Sequence, residues 1–418
     1  MNKRFLFLQG PCSPFFDKLG RALRTIGHHV QRVNFNAGDS LYWNGGNALY
    51  YRKSADGLEA WYNALFDREG HTDLVLFGDQ RPVHQPAIKL AKTRGIRVHV
   101  FEEGYFRPYW VTLERGGVNA NSQLPRDPAW YRRIGPGIPD YSNGVSFPSS
   151  FSARAWHDVI YHVAGIRNPI TYPGYRTHSP LCAHAEYSAY LKRTATLVQV
   201  KRRNLADIQS LIYGRKPFWL VPLQLSSDAQ IRHHSPFRSM SHMLEVTLDS
   251  FARMCRPDAI LVIKNHPLDT GQDDYAHIID EICERIRLKR ERILYLETGP
   301  LPALLNHARG VVTVNSTVGG SALVHGRPLK TLGNAIYDMP GLTYQGGLDT
   351  FWRYTKQPDQ RLFRWFRNTV IHGTQINGGL YSKESIELTV KNTLPEMLSA
   401  HGTVETLLRG SGSGSSIT

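Results

Sequence analysis

The sequence predicts an α/β protein built from two successive doubly wound blocks. Three observations predict it. Apolar strand-like runs alternate with amphipathic helical stretches at short spacing. The strongest runs are apolar throughout, as strands buried on both faces must be. The pattern also lapses between residues 105 and 215 and then restarts. At 418 residues the chain exceeds one comfortable core, so two domains are the default. A hydrophobic content of 41% with 11% aromatics excludes wholesale disorder.

In chain order, Phe5 to Leu8 reads as the first strand and runs into Gln9-Gly10-Pro11. Phe15, Leu19, Leu23 and Ile26 then share one helical face, closed by Gly27. Val30 to Phe35 is a second strand, and Leu58, Trp61, Tyr62 and Leu65 mark a second amphipathic helix. Asp73 to Phe77 is a strand ending at Gly78-Asp79, Ala87 to Arg94 a helix stopped by Gly95, and Ile96 to Phe101 a fourth strand. Pro108, Pro125, Pro128, Pro136 and Pro139 punctuate the next stretch, ahead of a long polar helix over 183–212. The second block opens with a strand from Phe218 to Leu225, a helix from Met240 to Met254 and a strand from Ile260 to Asn265. Pro267 cannot continue a ladder, so His266 is left at that strand's carboxyl tip. Ile293 to Leu296, a short helix from Pro302 to His307, Val311 to Val314, a helix from Thr317 and Lys330 to Leu332 complete the series. The expected division is a Rossmann-like domain over 1–205, a second over 206–380, a C-terminal helix over 381–408 and a disordered Gly/Ser tail over 409–418.

The formal charge of +15 calls for an anionic partner: nucleic acid, a membrane face or a charged substrate. The aromatic-basic interleaving of an RNA-recognition motif is missing, which makes nucleic acid the weakest of the three. Cys12, Cys182, Cys255 and Cys283 are scattered without metal spacing, favouring reduced, packing cysteines in a cytosolic protein. The run Phe5 to Leu8 is too short for a signal peptide, and no stretch approaches the roughly 20 apolar residues of a membrane span. Any membrane association is therefore expected to be peripheral. The basic run Arg285 to Arg292 reads as a solvated helix face or as a contact with anionic lipid.

Ligands of open α/β sheets bind at the carboxyl ends of strands. The polar residues found there are the candidates. Glu102-Glu103-Gly104 follows the fourth strand: either a solvated turn with a glycine for positive φ, or two carboxylates whose repulsion raises one pKa for acid–base work. In the second block Gln224 is followed by Asp228, a carboxylate nucleophile or a helix cap, then by Gln230 and Arg232. Lys264, His266 and Pro267 end the central strand there. Asn315-Ser316-Thr317-Val318-Gly319-Gly320 follows a strand and starts a helix, as a phosphate cradle or an ordinary cap, with glycines that would admit a ligand close to the backbone. Asn334, Tyr337 and Asp338 are weaker candidates for a nucleoside contact. Asp79, Arg81 and His84 form another strand-end cluster, read first as a structural turn and second as a substrate contact. Placed at strand ends, these groups are expected to line one crevice between the lobes.

An ordered set of motifs resembles one family. It comprises Leu8-Gln9-Gly10-Pro11, Phe77-Gly78-Asp79-x-Arg81-Pro82, Phe101 to Pro108 and Gly117-Val118-Asn119-Ala120. It continues through Leu124 to Pro128, Gln224 with Asp228-x-Gln230-Ile231-Arg232, Lys264-x-His266-Pro267, Asn315-Ser316-Thr317 and Leu342 to Gly346. The set resembles the single-module, retaining β-Kdo transferases of Gram-negative capsule biosynthesis. That resemblance implies a GT-B-like fold, CMP-β-Kdo as donor, no metal cofactor, and phosphatidylglycerol or its lyso form as acceptor at the cytoplasmic face of the inner membrane. By the same likeness Asp228 is the catalytic carboxylate of a double displacement, and Glu103, or otherwise Glu102, deprotonates the acceptor. His266 and the Asn315-Ser316-Thr317 helix start hold the CMP phosphate, with Lys264, Pro267, Gln224 and Gln230 around the donor. Gln9, Gly10, Asp79, Arg81, Arg107 and Arg232 are candidates for the acceptor side. Other capsule biosynthesis or export proteins are expected partners, and nucleic acid is not. Two rivals remain: a transferase for another CMP-activated acidic sugar such as sialic acid, and a non-catalytic basic scaffold of an export complex.

Overall fold

The computed structural model describes residues 2–148, 151–176, 183–225, 235–354 apart from 268, 270 and 272, and 356–412. Its strands are β1 (Arg4–Phe7), β2 (His29–Asn34), β3 (Ala48–Tyr50), β4 (Asp73–Phe77), β5 (Arg97–Glu103), β6 (Trp110–Arg115), β7 (Phe218–Pro222), β8 (Ile260–Lys264), β9 (Ile293–Leu296), β10 (Gly310–Thr313), β11 (Leu329–Thr331) and β12 (Gln375–Asn377). The chain divides into two compact units. Unit 1 holds residues 1–125, 133–178 and 367–418, and unit 2 holds 126–132 and 179–366.

Unit 1 is a seven-stranded sheet in the order β3-β2-β1-β4-β5-β6-β12. The first five are parallel, and β6 runs antiparallel to both β5 and β12. Side chains alternate across the sheet with period two. Phe5 and Phe7 join Phe15, Phe16 and Phe101 on one face, while Leu6 and Leu8 join Leu74, Leu76, Val98 and Val100 on the other.

Unit 2 is a five-stranded, wholly parallel sheet in the order β11-β10-β7-β8-β9. Every residue of β7 and β8 is buried, which explains the unbroken apolar runs. Met243, Leu244 and Phe251 of the Met240–Met254 helix cover one face, together with the free, buried Cys255 and Cys283. In each unit the first strand lies between the second and the fourth, the doubly wound order of a Rossmann-like sheet. Two such units make the α/β, GT-B-like composition expected from sequence.

The boundaries differ from those expected. The chain crosses at 178/179 rather than 205/206, because the Ala183–Tyr213 helix packs in unit 2, with Ile208 and Leu211 buried. Residues 367–418 return to unit 1, since β12 extends that sheet and Ile386 and Met397 of the Lys383–Leu398 helix enter the Phe5–Phe7 core. A second helix, Thr403–Gly412, continues through positions 409–412, where a disordered tail was expected. Val404 is buried there and Arg409 bonds His401 at 2.8 Å. Residues 413–418 lie outside the described residues.

Strand β6 escaped the sequence reading because its end, Glu114-Arg115, looks like solvated charge. Both residues are buried and partnered. Arg115 donates to the carbonyls of Glu396, Ser399 and Ala400 at 3.0, 2.9 and 3.1 Å, and Glu114 accepts from the Tyr105 hydroxyl at 2.6 Å. Burial of that carboxyl pushes its pKa up to about 7, against the hydrogen bonds from Ser122 and Tyr105. Among the described residues no helix is long and apolar enough to cross a membrane.

His71, just before β4, is 4% exposed and its Nε2 meets Gln31 Oε1 at 3.1 Å. Burial holds its pKa down at about 4. Below its unfolded value of about 6.5 the unfolded chain takes up a proton that the native ring refuses, so stability falls between there and about pH 4. The slope is ~1.4 kcal/mol per pH unit. Denaturant titrations at pH 7 and pH 5 should therefore show His71→Gln losing about 2 kcal/mol less than the parent between the two. Equal losses would mean that His71 does not carry this acid sensitivity.

Candidate functional site

In unit 2 the strand order reverses beside β7, and the carboxyl ends of β7 and β10 are neighbours there. Such a point is where open α/β sheets leave room for a ligand. The chain leaves β7 with Leu223 still bonded to the Lys264 carbonyl at 2.8 Å. The next residue, Gln224, is buried and faces Asn315, two residues past β10. Gln224 Nε2 donates to Asn315 Oδ1 at 3.1 Å, and the Asn315 N–H donates back to Gln224 Oε1 at 3.3 Å. Two candidates far apart in sequence thus tie the two strands together at the reversal.

Ser316 caps the Thr317–Val324 helix, its Oγ accepting from the Val318 N–H at 3.2 Å. Its carbonyl accepts from the Gly319 N–H at 2.9 Å and from the Tyr337 hydroxyl at 2.6 Å. A Cβ on Gly319 would lie 2.1 Å from that hydroxyl. Gly319 is therefore required by the packing of Tyr337 beneath the helix start, which corrects the expectation that it admits a ligand. Tyr337, offered as a nucleoside contact, is a buried support, and burial drives its pKa far up. Asp338 accepts from Thr343 Oγ1 at 2.6 Å and Gln345 Nε2 at 3.3 Å, which explains the Leu342 to Gly346 motif as its clamp.

Strand β8 stops at Lys264, two residues before the expected His266. Lys264 is buried and its Nζ donates to the Asn265 carbonyl at 3.2 Å. The Asn265 side chain then shapes the turn: its Oδ1 accepts from the His266 N–H at 2.7 Å, and its Nδ2 donates to Asp269 at 2.8 Å. His266 is half-buried, and Pro267 is exposed. Asp228, Gln230 and Arg232 lie outside the described residues.

In unit 1 the corresponding reversal lies between β1 and β4. Arg81 bridges it, donating to the Gly10 carbonyl at 3.0 Å and stacking over Phe77. Gln9 is buried and donates to Asp39 at 3.1 Å. Asp79 is buried and accepts from the Val118 N–H at 3.1 Å and from Asn121 Nδ2 at 2.9 Å. It pins the Gly117 to Ala120 motif, which fits the structural-turn reading of this cluster over its reading as an acceptor contact.

The acidic pair ends β5, where consecutive side chains take opposite faces of the sheet. Glu102 lies on the Gly78 side and its Oε1 accepts the Glu103 N–H at 3.0 Å. Glu103 points the other way. The two carboxylates do not confront each other, so the repulsion argued from their adjacency falls away. Gly104 has no positive φ among the described glycines; a Cβ there would lie 2.3 Å from the Trp110 carbonyl oxygen of β6. Close approach of a strand, and not a left-handed turn, requires that glycine.

Glu103 is about one-quarter exposed and accepts from Arg154 at 3.3 Å and the Tyr381 hydroxyl at 3.1 Å, with Arg107 4.0 Å away. Arg154 also stacks over the Tyr381 ring at 5.2 Å. These groups line a cavity of about 270 Å³ walled by Tyr109, Trp110 and Phe147. Burial, then the Glu103 charge, lifts the Tyr381 hydroxyl well above its usual pKa, so it stays a proton donor to the carboxylate. Sequence reasoning missed Arg154 and Tyr381. Each lies more than 40 residues from Glu103 in sequence, and no local pattern marks either as its partner.

Comparison with known proteins fits this geometry into a family. The family described as "Capsule polysaccharide biosynthesis protein" matches residues 72–381. The chain belongs to that family. Its matched region opens at β4 and closes on Tyr381, the partner of Glu103. This capsule-family chain is 38% identical over 383 residues to the capsule polysaccharide export protein KpsS of Escherichia coli, covering 91% of the chain and 97% of the relative. It is 36% identical over 394 residues to the capsule polysaccharide modification protein LipB of Neisseria meningitidis serogroup B, covering 91% and 92%. Among solved structures, a Thermosulfurimonas dismutans KpsC β-Kdo 2,7 transferase aligns over 93% of the chain and 99% of its own, at 15% identity and a TM-score of 0.43.

The Gln224–Asn315 pair is testable by a double-mutant cycle of Gln224→Ala and Asn315→Ala, read by denaturant unfolding of unit 2. A reciprocal, mostly buried pair should give a coupling of roughly 1 kcal/mol. A coupling near zero would show that the two amides do not hold each other.

Proposed function

We propose that this chain is a retaining glycosyltransferase that moves one Kdo from CMP-β-Kdo onto phosphatidylglycerol or its lyso form, the lipid anchor of a capsular polysaccharide. The observation that carries the reading is the Gln224–Asn315 lock at the strand-order reversal of unit 2, beside a helix start and the Lys264–His266 turn. That grouping suits a nucleotide monophosphate: amides for the base or ribose, and Lys264, His266 and the helix end for the phosphate. Membership of the capsule family and the ordered motif set support the sugar and the lipid.

Chemically, a carboxylate oxygen of Asp228 bonds to the anomeric carbon as the bond to the CMP phosphate breaks. The acceptor hydroxyl then displaces Asp228, and its proton passes to a base, so configuration is retained. Of the two glutamates, Glu103 is the better base, since it alone lines the unit 1 cavity. Arg154 and Tyr381 keep it oriented and balance its charge. Arg154, Arg107 and Ser382 at the same cavity suit an anionic headgroup. The cytoplasmic face of the inner membrane, where both substrates would be found, is the expected location.

The test is mass spectrometry of a phosphatidylglycerol analogue incubated with CMP-Kdo generated in place, beside CMP-sialic acid. One added Kdo unit is expected, with none from sialic acid. Asp228→Ala should lower transfer by about 10³-fold or more while CMP binding survives. Transfer from CMP-sialic acid alone would move the reading to the rival sugar, and undiminished activity in the variant would remove Asp228 from the mechanism.

A further inference from the structure

Helices of soluble domains turn their apolar stripe inward and their polar face to water. The Phe151–Gly165 helix of unit 1 does the reverse. Its anchored side is polar. Arg154 reaches Glu103, His157 Nδ1 shares a 2.7 Å hydrogen bond with the Tyr42 hydroxyl, and the Tyr161 hydroxyl donates to Asp39 at 3.0 Å. Just beyond the helix, Asn168 accepts the Ala37 N–H at 2.8 Å. Positions 154, 157, 161 and 168 recur at three, four and seven residues, so they share one side.

The other side is apolar and open. Trp156, Val163, Ile166 and Ile170 are 64%, 57%, 60% and 87% exposed. They too follow helical spacing, the last two carried by the turn and the short Asn168–Thr171 helix. No residue from 152 to 171 is buried. Around this stripe the charge is basic: Arg167 and Arg176 are exposed, as are Arg52 and Lys53, whose backbone meets Gly174 through the Arg52 carbonyl at 3.2 Å. Asp158 is the single acidic residue from 151 to 176.

We propose that this face docks on an anionic phospholipid surface. An apolar stripe with a tryptophan, set among arginines and lysine, is the composition that seats in a headgroup layer. A second copy of this chain would bring the same basic charges together, which disfavours self-association. The basic run at 285–292, the other candidate for lipid, is engaged within unit 2. Arg285 pairs with Glu245 at 2.8 Å, Arg290 with Asp280, and Arg292 stacks over Phe251 at 4.6 Å. The helix that carries the stripe also carries Arg154, on its opposite, anchored side, where it lines the cavity with Glu103. The inference rests on the transferase reading for why a lipid should come to Glu103, and on the exposed stripe alone for the docking.

The experiment is co-sedimentation of the full chain with vesicles of phosphatidylglycerol and phosphatidylethanolamine, and with neutral phosphatidylcholine vesicles. The parent should bind the anionic vesicles and bind the neutral ones more weakly. A triple variant, Trp156→Ser with Val163→Ser and Ile170→Ser, should bind the anionic vesicles at least about tenfold more weakly. Its thermal unfolding, and its Kdo transfer to a short-chain, water-soluble phosphatidylglycerol analogue, should stay unchanged. Arg167→Glu with Arg176→Glu should weaken anionic binding only. Equal binding by parent and triple variant, or no binding of the parent to anionic vesicles, overturns the proposal. So does a shift from dimer to monomer in the triple variant with vesicle binding intact, which would assign the stripe to a second copy. If vesicle binding falls as expected but neither protein transfers Kdo to the soluble analogue, docking stands and the transferase reading fails.

Discussion

The reversal of strand order beside β7 is the constraint on which the arrangement of unit 2 depends. A parallel sheet connects its strands by crossovers, and only where successive crossovers go to opposite faces do two neighbouring strand ends open outward. Here those ends belong to β7 and β10. An open gap lined by bare backbone would cost stability, and the Gln224–Asn315 amides close its floor by satisfying each other. Tyr337 then braces the Ser316 carbonyl from below, with Gly319 leaving it room. The helix start is thus fixed by buried packing from beneath.

Unit 1 solves a different problem with the same sheet order. Glu102, Glu103 and Gly104 are consecutive, yet each answers a separate requirement. Glu102 caps the Glu103 backbone, Glu103 faces a cavity with Arg154 and Tyr381, and Gly104 yields to the Trp110 carbonyl. The motif is a consequence of antiparallel β6 folding back onto β5. β12 then fixes β6 from the outside, with Asn377 Nδ2 and the Gly378 N–H both donating to the Tyr109 carbonyl at 2.9 Å. The Glu103 carboxylate is thus seated where three chain segments converge, one of them nearly 280 residues away in sequence.

The parallel strands were legible because burial on both faces leaves a plain apolar run, as in Phe218 to Pro222 and Ile260 to Lys264. Helix Met240–Met254 was legible from its periodicity. What stayed hidden shares one cause: charge and polarity satisfied inside the protein. Glu114-Arg115 at the end of β6 reads as surface, Asp79 reads as a turn or a substrate contact, and Tyr337 reads as a nucleoside contact. Each is a buried polar group whose partners lie outside its own element, and no local pattern announces a partner. β12 is three residues long, and only its pairing with β6 makes it a strand. The strand-end positions of Gln224, Lys264 and Asn315 could be read from flanking runs, but the bond between Gln224 and Asn315 could not.

The claim at the centre of this account is that the donor nucleotide occupies the strand-order reversal of unit 2. Amide hydrogen exchange of the full chain with and without saturating CMP tests it most directly. Slowed exchange should appear in peptides covering 223–225, 264–267 and 315–319, while the β1–β4 strand ends of unit 1 stay unchanged. Protection confined to unit 1, or none in those three segments at saturation, would contradict it.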